Sequence, residues 1–281
     1  MGLFNKKKKS EEPQRAPVPQ NTAAPAGEEK EQEITPGCFT GFVLLESPRW
    51  DKEAVLAALA GTWGVTPEPP EEGEKEEPDM AVFQVGPSLV AISLVPAKVP
   101  DGEAEHYAAA NYLWPEAVEV TASHQAHLIV AVLGRDASPV DSGRLFVKAA
   151  ASCLAQPGAL GIYTSGTVLS PDHFLTVAEA MKDGELPVMD WVYIGLYRSE
   201  TGSGAYTYGL TAFGKDELEI LDSPHAPGEL HEFLFDICYY LLEGDVTLRD
   251  GETIGFTEDQ KLSITRSKGV AVDGMSLKIG Y

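Results

Sequence analysis

The chain has 281 residues, 43% of them hydrophobic, and a formal net charge of −22. That apolar share excludes global disorder, and the length suits one large domain or two modest ones. An acidic body repels phosphate backbones, so nucleic acid is not an expected partner, whereas a basic protein is.

Residues 1–36 are rich in Pro, Ala, Gln, Glu and Lys without apolar periodicity, and read as a disordered tail. Six basic and six acidic side chains balance there. MGLFNKKKKSEEP lacks a signal-peptide apolar run, and Lys6 stands where a myristoylation motif has Ser or Thr. Lys6–Lys9 would gain about 1 kcal/mol per charge at an anionic membrane, too little for stable anchoring. No apolar run approaches the roughly 20 residues that span a bilayer, so stable membrane insertion is not expected. Cys38, Cys153 and Cys238 are scattered and form no CxxC pair, which points to a reducing, cytoplasmic setting.

The folded part divides into an N-terminal half, 37–138, and a C-terminal half, 139–281. Phe39–Glu46 is a buried strand, and Asp51 caps a helix that Gly61 and Gly64 stop. Thr66–Asp79 holds seven acids against Lys75 and forms an exposed loop. MAVFQV and SLVAISLV form a hairpin, Ala104–Trp114 a helix ended by Pro115, and His127–Gly134 a strand buried on both faces. Asp141–Gln156 is a bridging helix. ALGIYT is a strand, Ser170-Pro171 opens another helix, and WVYIGLYRSE and AYTYGLTAFG flank a Gly-Ser turn. Leu230 to Leu241 keeps helical spacing, and Asp250-Gly251 and Asp273-Gly274 signal closing turns. Strand, helix, strand, strand, helix, strand is the order of a split β-α-β unit. The expectation is therefore an α+β fold of two pseudo-repeated ferredoxin-like halves with mostly antiparallel sheets.

No constellation assembles a reaction. His124 and His127 lead into a strand on opposite faces, one buried and one facing solvent, and no acidic or thiol cluster joins them. Ser165, His173 and His225 would be the first suspects for a hydrolase or small-molecule site between the halves, but no nucleophile elbow supports them. The internal KDEL at Lys215–Leu218 is not a C-terminal retention signal. No catalytic residue, cofactor or metal ligand is assigned. Two surfaces are candidate binding sites. One is aromatic, with Tyr107, Asn111, Tyr112 and Trp114. The other is an acidic turn carrying Asp216, Glu217, Glu219 and Asp222, suited to a cation or a basic partner.

GLTAFGKDELEILDSP, followed by ELHEFLFDICYYLL and LRDGETIGF, resembles the bacterial domain-of-unknown-function family 4261. GFVLLESPRWDKEAVLAALAGTWG, NYLWPEA and HQAHLIVAVLG extend the resemblance over Cys38–Tyr281. The family carries no assigned reaction or ligand, so the resemblance implies fold boundaries and a bacterial, cytoplasmic setting. With the charge, these features lead to a non-enzymatic protein-interaction module, of immunity or accessory type, whose partner is basic.

Overall fold

The computed structural model describes residues 35–68, 77–257 and 260–281. The tail and most of the acidic loop therefore lie outside the described residues. Among the described residues, two six-stranded sheets and their covering helices share one continuous core.

The first sheet takes β1 (Cys38–Leu45), β2 (Met80–Val85), β3 (Ser88–Val95), β4 (Ala126–Gly134), β5 (Ala159–Thr164) and β6 (Thr167–Leu169). They lie in the order β2-β3-β4-β1-β5-β6, every neighbour antiparallel. Between them run α1 (Lys52–Trp63), α2 (Glu103–Ala108), α3 (Ala117–Ser123) and α4 (Pro139–Leu154). Asp51 caps α1 through the Ala54 N–H at 2.9 Å, and Gly64 ends it with φ 65°. Ser138 caps α4 with Pro139 behind it, and the helix lies against β1 and β4. Its Phe146 needs Gly41 beneath: a Cβ there would sit 2.9 Å from the ring. The opposite face, over β5 and β6, is closed by α2 and α3 around Leu44, Val99, Ala108, Tyr163 and Val168.

The second sheet follows α5 (Pro171–Glu179) and a single turn, α6 (Val188–Trp191). Its strands are β7 (Tyr193–Arg198), β8 (Ser203–Tyr208), β9 (Glu217–Ser223), β10 (Thr253–Ile254), β11 (Leu262–Lys268) and β12 (Met275–Ile279), with α7 (Pro227–Glu243) between β9 and β10. The order is β10-β11-β12-β9-β8-β7, antiparallel except at β12–β9. Pro227 opens α7, and Glu229 reaches back to the Ala226 N–H at 2.8 Å. Leu230, Phe233, Leu234, Ile237, Cys238 and Leu241 bury its inner face on the sheet. Phe39, Phe146, Phe213 and Trp191 join the two sheets, with ring centroids 5.1–6.0 Å apart.

The α+β class and the two mostly antiparallel sheets match the sequence reading; the connectivity departs from it. In a split β-α-β unit the strands flanking the helix are parallel with one strand between. Here β4 pairs with both β3 and β1, so two strands separate β1 from β2 and those two run antiparallel. The cause is the full-length β3–β4 pairing, Ser88↔Gly134 to Val95↔His127, which gives both strands one apolar face, Val90, Ile92, Leu128, Val130 and Val132, in the core. β5 and β6 complete the first sheet, so the change of sheet falls after Leu169 and not at residue 139. The helix expected over Ala104–Trp114 ends at Ala108, because Asn111 turns the chain by accepting from the Leu113 N–H at 2.7 Å. The expected acidic turn, Asp216 to Asp222, is mostly the strand β9.

Candidate binding face on the second sheet

α7 packs on one face of the second sheet, and tyrosines line the other. The register places Tyr193, Gly195 and Tyr197 of β7 on that second face, opposite Tyr208, Tyr206 and Gly204 of β8. Each central tyrosine lies across a cross-strand glycine. A Cβ at Gly195 would overlap the Tyr206 ring, and one at Gly204 the Tyr197 ring. Glycine lets the phenols lie down on the sheet and form a floor.

Glu219 of β9 sits beside Tyr206 on the same face and is fully buried. It accepts from the Val270 N–H at 3.0 Å, the Ala271 N–H at 2.6 Å and the Ser276 hydroxyl, and pairs with Lys278 Nζ at 2.9 Å. Burial acts to raise this carboxyl, but the Ala271 N–H, Ser276, Lys278 and the Val270 N–H outweigh it and hold it below its ordinary value. The effect is mechanical: Glu219 folds the Gly269–Asp273 loop of the β11–β12 hairpin over the sheet face. That loop carries Asp273, which is exposed.

The first sheet supplies the facing wall. Tyr107 of α2 stacks on Tyr163 at 5.4 Å, and Tyr163 donates to Glu103 Oε1 at 2.7 Å. The β5–β6 turn, with Ser165 and Gly166 both at positive φ, presses on β8: Gly166 lies under the Tyr208 ring, which a Cβ would approach to 3.0 Å. Tyr107 is raised by burial, then by Glu103 and Asp273. Tyr208 is pushed up to about 12 by burial, then by Tyr107, Glu217, Asp273 and Glu103. The hydroxyls held by described acceptors are those of Tyr112, Tyr163, Tyr193 and Tyr239. Those of Tyr107, Tyr197, Tyr206 and Tyr208 have no acceptor among the described residues.

The sequence-derived site residues divide. Tyr107 faces this seam. Asn111 donates to the Val168 carbonyl, Tyr112 donates to the Ile194 carbonyl at 2.7 Å, and Trp114 lies 3.2 Å from where a Gly161 Cβ would be. These three clasp β6, β7 and β5 together. Asp216 holds Arg266 through two bonds of 2.7 and 3.0 Å. Glu217 accepts from Thr207 Oγ1 and the Gly209 N–H, both at 2.7 Å, and burial raises it despite those bonds. The acids therefore do not form one open cluster.

Ser165 Oγ donates to the Trp191 carbonyl at 2.9 Å, while His225 stacks on Tyr281 at 4.5 Å and lies 3.6 Å from Glu229. His173 Nε2 is buried without a partner among the described residues. The structure does not bring these three together by any hydrogen bond. His124 and His127 are both buried, which corrects the expectation of one facing solvent. His124 Nε2 accepts from the Val99 N–H at 2.9 Å, and His127 Nδ1 lies 2.8 Å from the Ala97 carbonyl. They staple the segment after β3. Among the described residues, no group of three or more His, Cys, Asp or Glu is placed to hold a metal ion. No helix there is long and apolar enough to cross a membrane.

Sequence reasoning missed Glu103, Tyr163, Tyr197, Tyr206, Tyr208 and Asp273. The signal was the alternation Tyr-x-Gly-x-Tyr in one strand against Gly-x-Tyr-x-Tyr in the next, which puts tyrosine and glycine on a shared face.

Fold and face together define an α+β domain whose second sheet presents a tyrosine-lined face. Residues 206–280, from within β8 to the end of β12, match the family model described as a domain of unknown function (DUF4261). The resemblance noted for the front of the chain lies outside the matched residues. No curated protein and no solved structure matches the chain.

Proposed function

We propose that the protein is a non-enzymatic interaction module and that the tyrosine-floored face of its second sheet is the surface that meets a basic protein partner. One observation carries the reading: Tyr197, Tyr206 and Tyr208 of the second sheet and Tyr107 of α2, none with a hydroxyl acceptor among the described residues, lie on a seam with the exposed Glu103 and Asp273. Tyrosine provides large rigid contact area with a polar tip, the composition of interface centres, and the acidic setting selects for positive charge. Native co-purification of the wild type against Tyr206→Ala/Tyr208→Ala tests it. The expected result is a stoichiometric basic partner held by the wild type and lost from the variant. A partner held equally by both, or none at all, overturns the reading.

A second reading, a small-molecule binder, draws on a cavity of about 300 Å³ lined by Val177, Leu186, Val188, Met189 and Phe235, with the Tyr239–Glu185 hydrogen bond at 2.8 Å beside it. That size is at the lower end for ligand sites. A Met189→Trp variant that leaves every ligand-induced melting shift unchanged would dispose of it.

A further inference from the structure

We propose that the seam between Tyr107 and Tyr208 is an arginine-binding slot, taking the guanidinium of a basic polypeptide between two phenol rings and the carboxylates of Glu103 and Asp273. This deepens the interaction reading above and rests on it.

The geometry starts at the β5–β6 hairpin, which both rings touch: Tyr107 stacks on Tyr163, and Tyr208 lies on Gly166. Tyr163 is in turn stacked on Phe42 at 5.7 Å, so the Tyr107 side is a rigid column of three rings. Tyr206, over Gly195 and next to Tyr193 at 6.3 Å, continues the floor from Tyr208 along β8. Aromatic faces attract a cation within about 6 Å of the ring centroid. A planar guanidinium also stacks on them, which a compact ammonium does not.

Two carboxylates border the slot. Glu103 uses Oε1 to accept from Tyr163, and its Oε2 meets no donor among the described residues. Asp273 is exposed at the hairpin tip, next to Gly274 at φ 74°. Glu103 borders the Tyr107 side through Tyr163, and Glu219, paired across from Tyr206, holds the loop that carries Asp273 at the same face. The basic residue on this sheet face, Lys278, is engaged by Glu219 and by the Ser267 and Lys268 carbonyls. It is not free to receive an anion, and phosphate would meet two open carboxylates. A guanidinium has five donors, enough to engage two carboxylates while its plane lies on a phenol.

Two substitutions remove the charge and keep the local structure. Glu103→Gln retains an acceptor for Tyr163, and Asp273→Asn suits the Asn-Gly turn it creates. The full chain is titrated by calorimetry with an acetylated, amidated Gly-Arg-Gly-Arg-Gly peptide, and with the same peptide carrying citrulline or lysine for arginine. Saturable binding of the arginine peptide is expected. It should weaken at least tenfold with lysine, with Glu103→Gln/Asp273→Asn and with Tyr208→Ala, and vanish with citrulline. Equal binding of the citrulline peptide, or an unchanged affinity in the charge-neutral variant, overturns the slot. The chain's own Lys6–Lys9 is the other candidate occupant. Changing these four to Gln should leave the affinity within about twofold, and a tenfold tightening would assign the slot to that segment and overturn the partner claim. If the co-purifying partner depends on Tyr206 and Tyr208 but no arginine peptide binds, the slot fails and the interaction reading stands. If neither holds, both fail.

Discussion

Each sheet has one face buried under a helix of the core, and they differ in how the second face is finished. On the first sheet α2 and α3 cover the β5–β6 side with Leu44, Val99, Ala108 and Val168. The second is finished differently. Tyrosines lie down over glycines, and Glu219 draws the β11–β12 loop across the end of the face. Apolar closure removes a surface from solvent. Aromatic and polar closure leaves one that is rigid, chemically varied and still accessible. This is why the proposed binding face is placed on the second sheet, with the first contributing its wall.

The comparison breaks most sharply at Glu219. Glu219→Ala leaves two backbone N–H groups and the Ser276 hydroxyl without their acceptor and Lys278 without its counter-charge, and we expect a loss of about 3–5 kcal/mol in urea unfolding. Leu44→Ala on the closed face should cost a comparable 2–5 kcal/mol. pH separates the two. Glu219 has a depressed folded pKa, so its contribution is present above its ordinary value of 4.5 and is lost as the pH falls through the folded value. Leu44 has nothing to titrate, so its deficit should stay constant over that window. A Glu219→Ala deficit that persists unchanged in acid would mean the clamp is not ionic.

Asp190, in the turn that leads into the second sheet, shows the opposite sign. It is 1% exposed, both carboxyl oxygens lack a partner among the described residues, and burial raises it well above its ordinary value. A raised folded pKa means the acid is tolerated below its ordinary value of 3.8 and costs stability as the pH climbs past it. Asp190→Asn should therefore be more stable than wild type by about 1–3 kcal/mol at neutral pH. The gain should vanish near pH 3. A neutral-pH loss instead would indicate a cationic group or bound water satisfying the carboxylate.

How far the sequence reaches is visible at these same residues. The α+β class, the α7 core stripe and the caps at Asp51 and Ser170 were legible because propensity, capping chemistry and periodicity are local. β9 was misread because Asp216, Glu217, Glu219 and Asp222 suggested an acidic turn, although Leu218 and Ile220 already alternated with the two glutamates. Their charges are paid for by partners 6 to 57 residues away, Thr207 and Ser276 among them, which no local pattern announces. Strand order was illegible for the same reason: whether β4 joins β1 alone or β1 and β3 together depends on long-range pairing. The seam was half legible. Tyr107 was named from its helix, whereas its companions come from β8 and a distant hairpin.

The glycines offer a finer comparison. Gly41 lies under Phe146, a ring fixed inside the core, whereas Gly195 lies under Tyr206, which is only partly covered. Gly41→Ala should cost about 2–3 kcal/mol, since a packed ring has nowhere to go. Gly195→Ala should cost about 1 kcal/mol, because Tyr206 swings outward, and arginine-peptide affinity should fall with it. Equal costs would mean the tyrosine floor is as rigid as the core.

The smallest effect expected is at the clasp between the sheets. Tyr112 donates to the Ile194 carbonyl and lies 6.1 Å from Tyr193, so Tyr112→Phe keeps the ring contact and removes one hydrogen bond, about 1 kcal/mol. Its phenol is pushed up to about 12 by burial, then by Tyr206. With the folded pKa raised above 10.0, its contribution is intact below that value and is lost as the pH rises from 10.0 toward 12. The wild type should therefore converge on Tyr112→Phe across that window when both are unfolded in urea. A constant gap through it would place the stabilisation in ring packing and leave the two sheets joined by their apolar core alone.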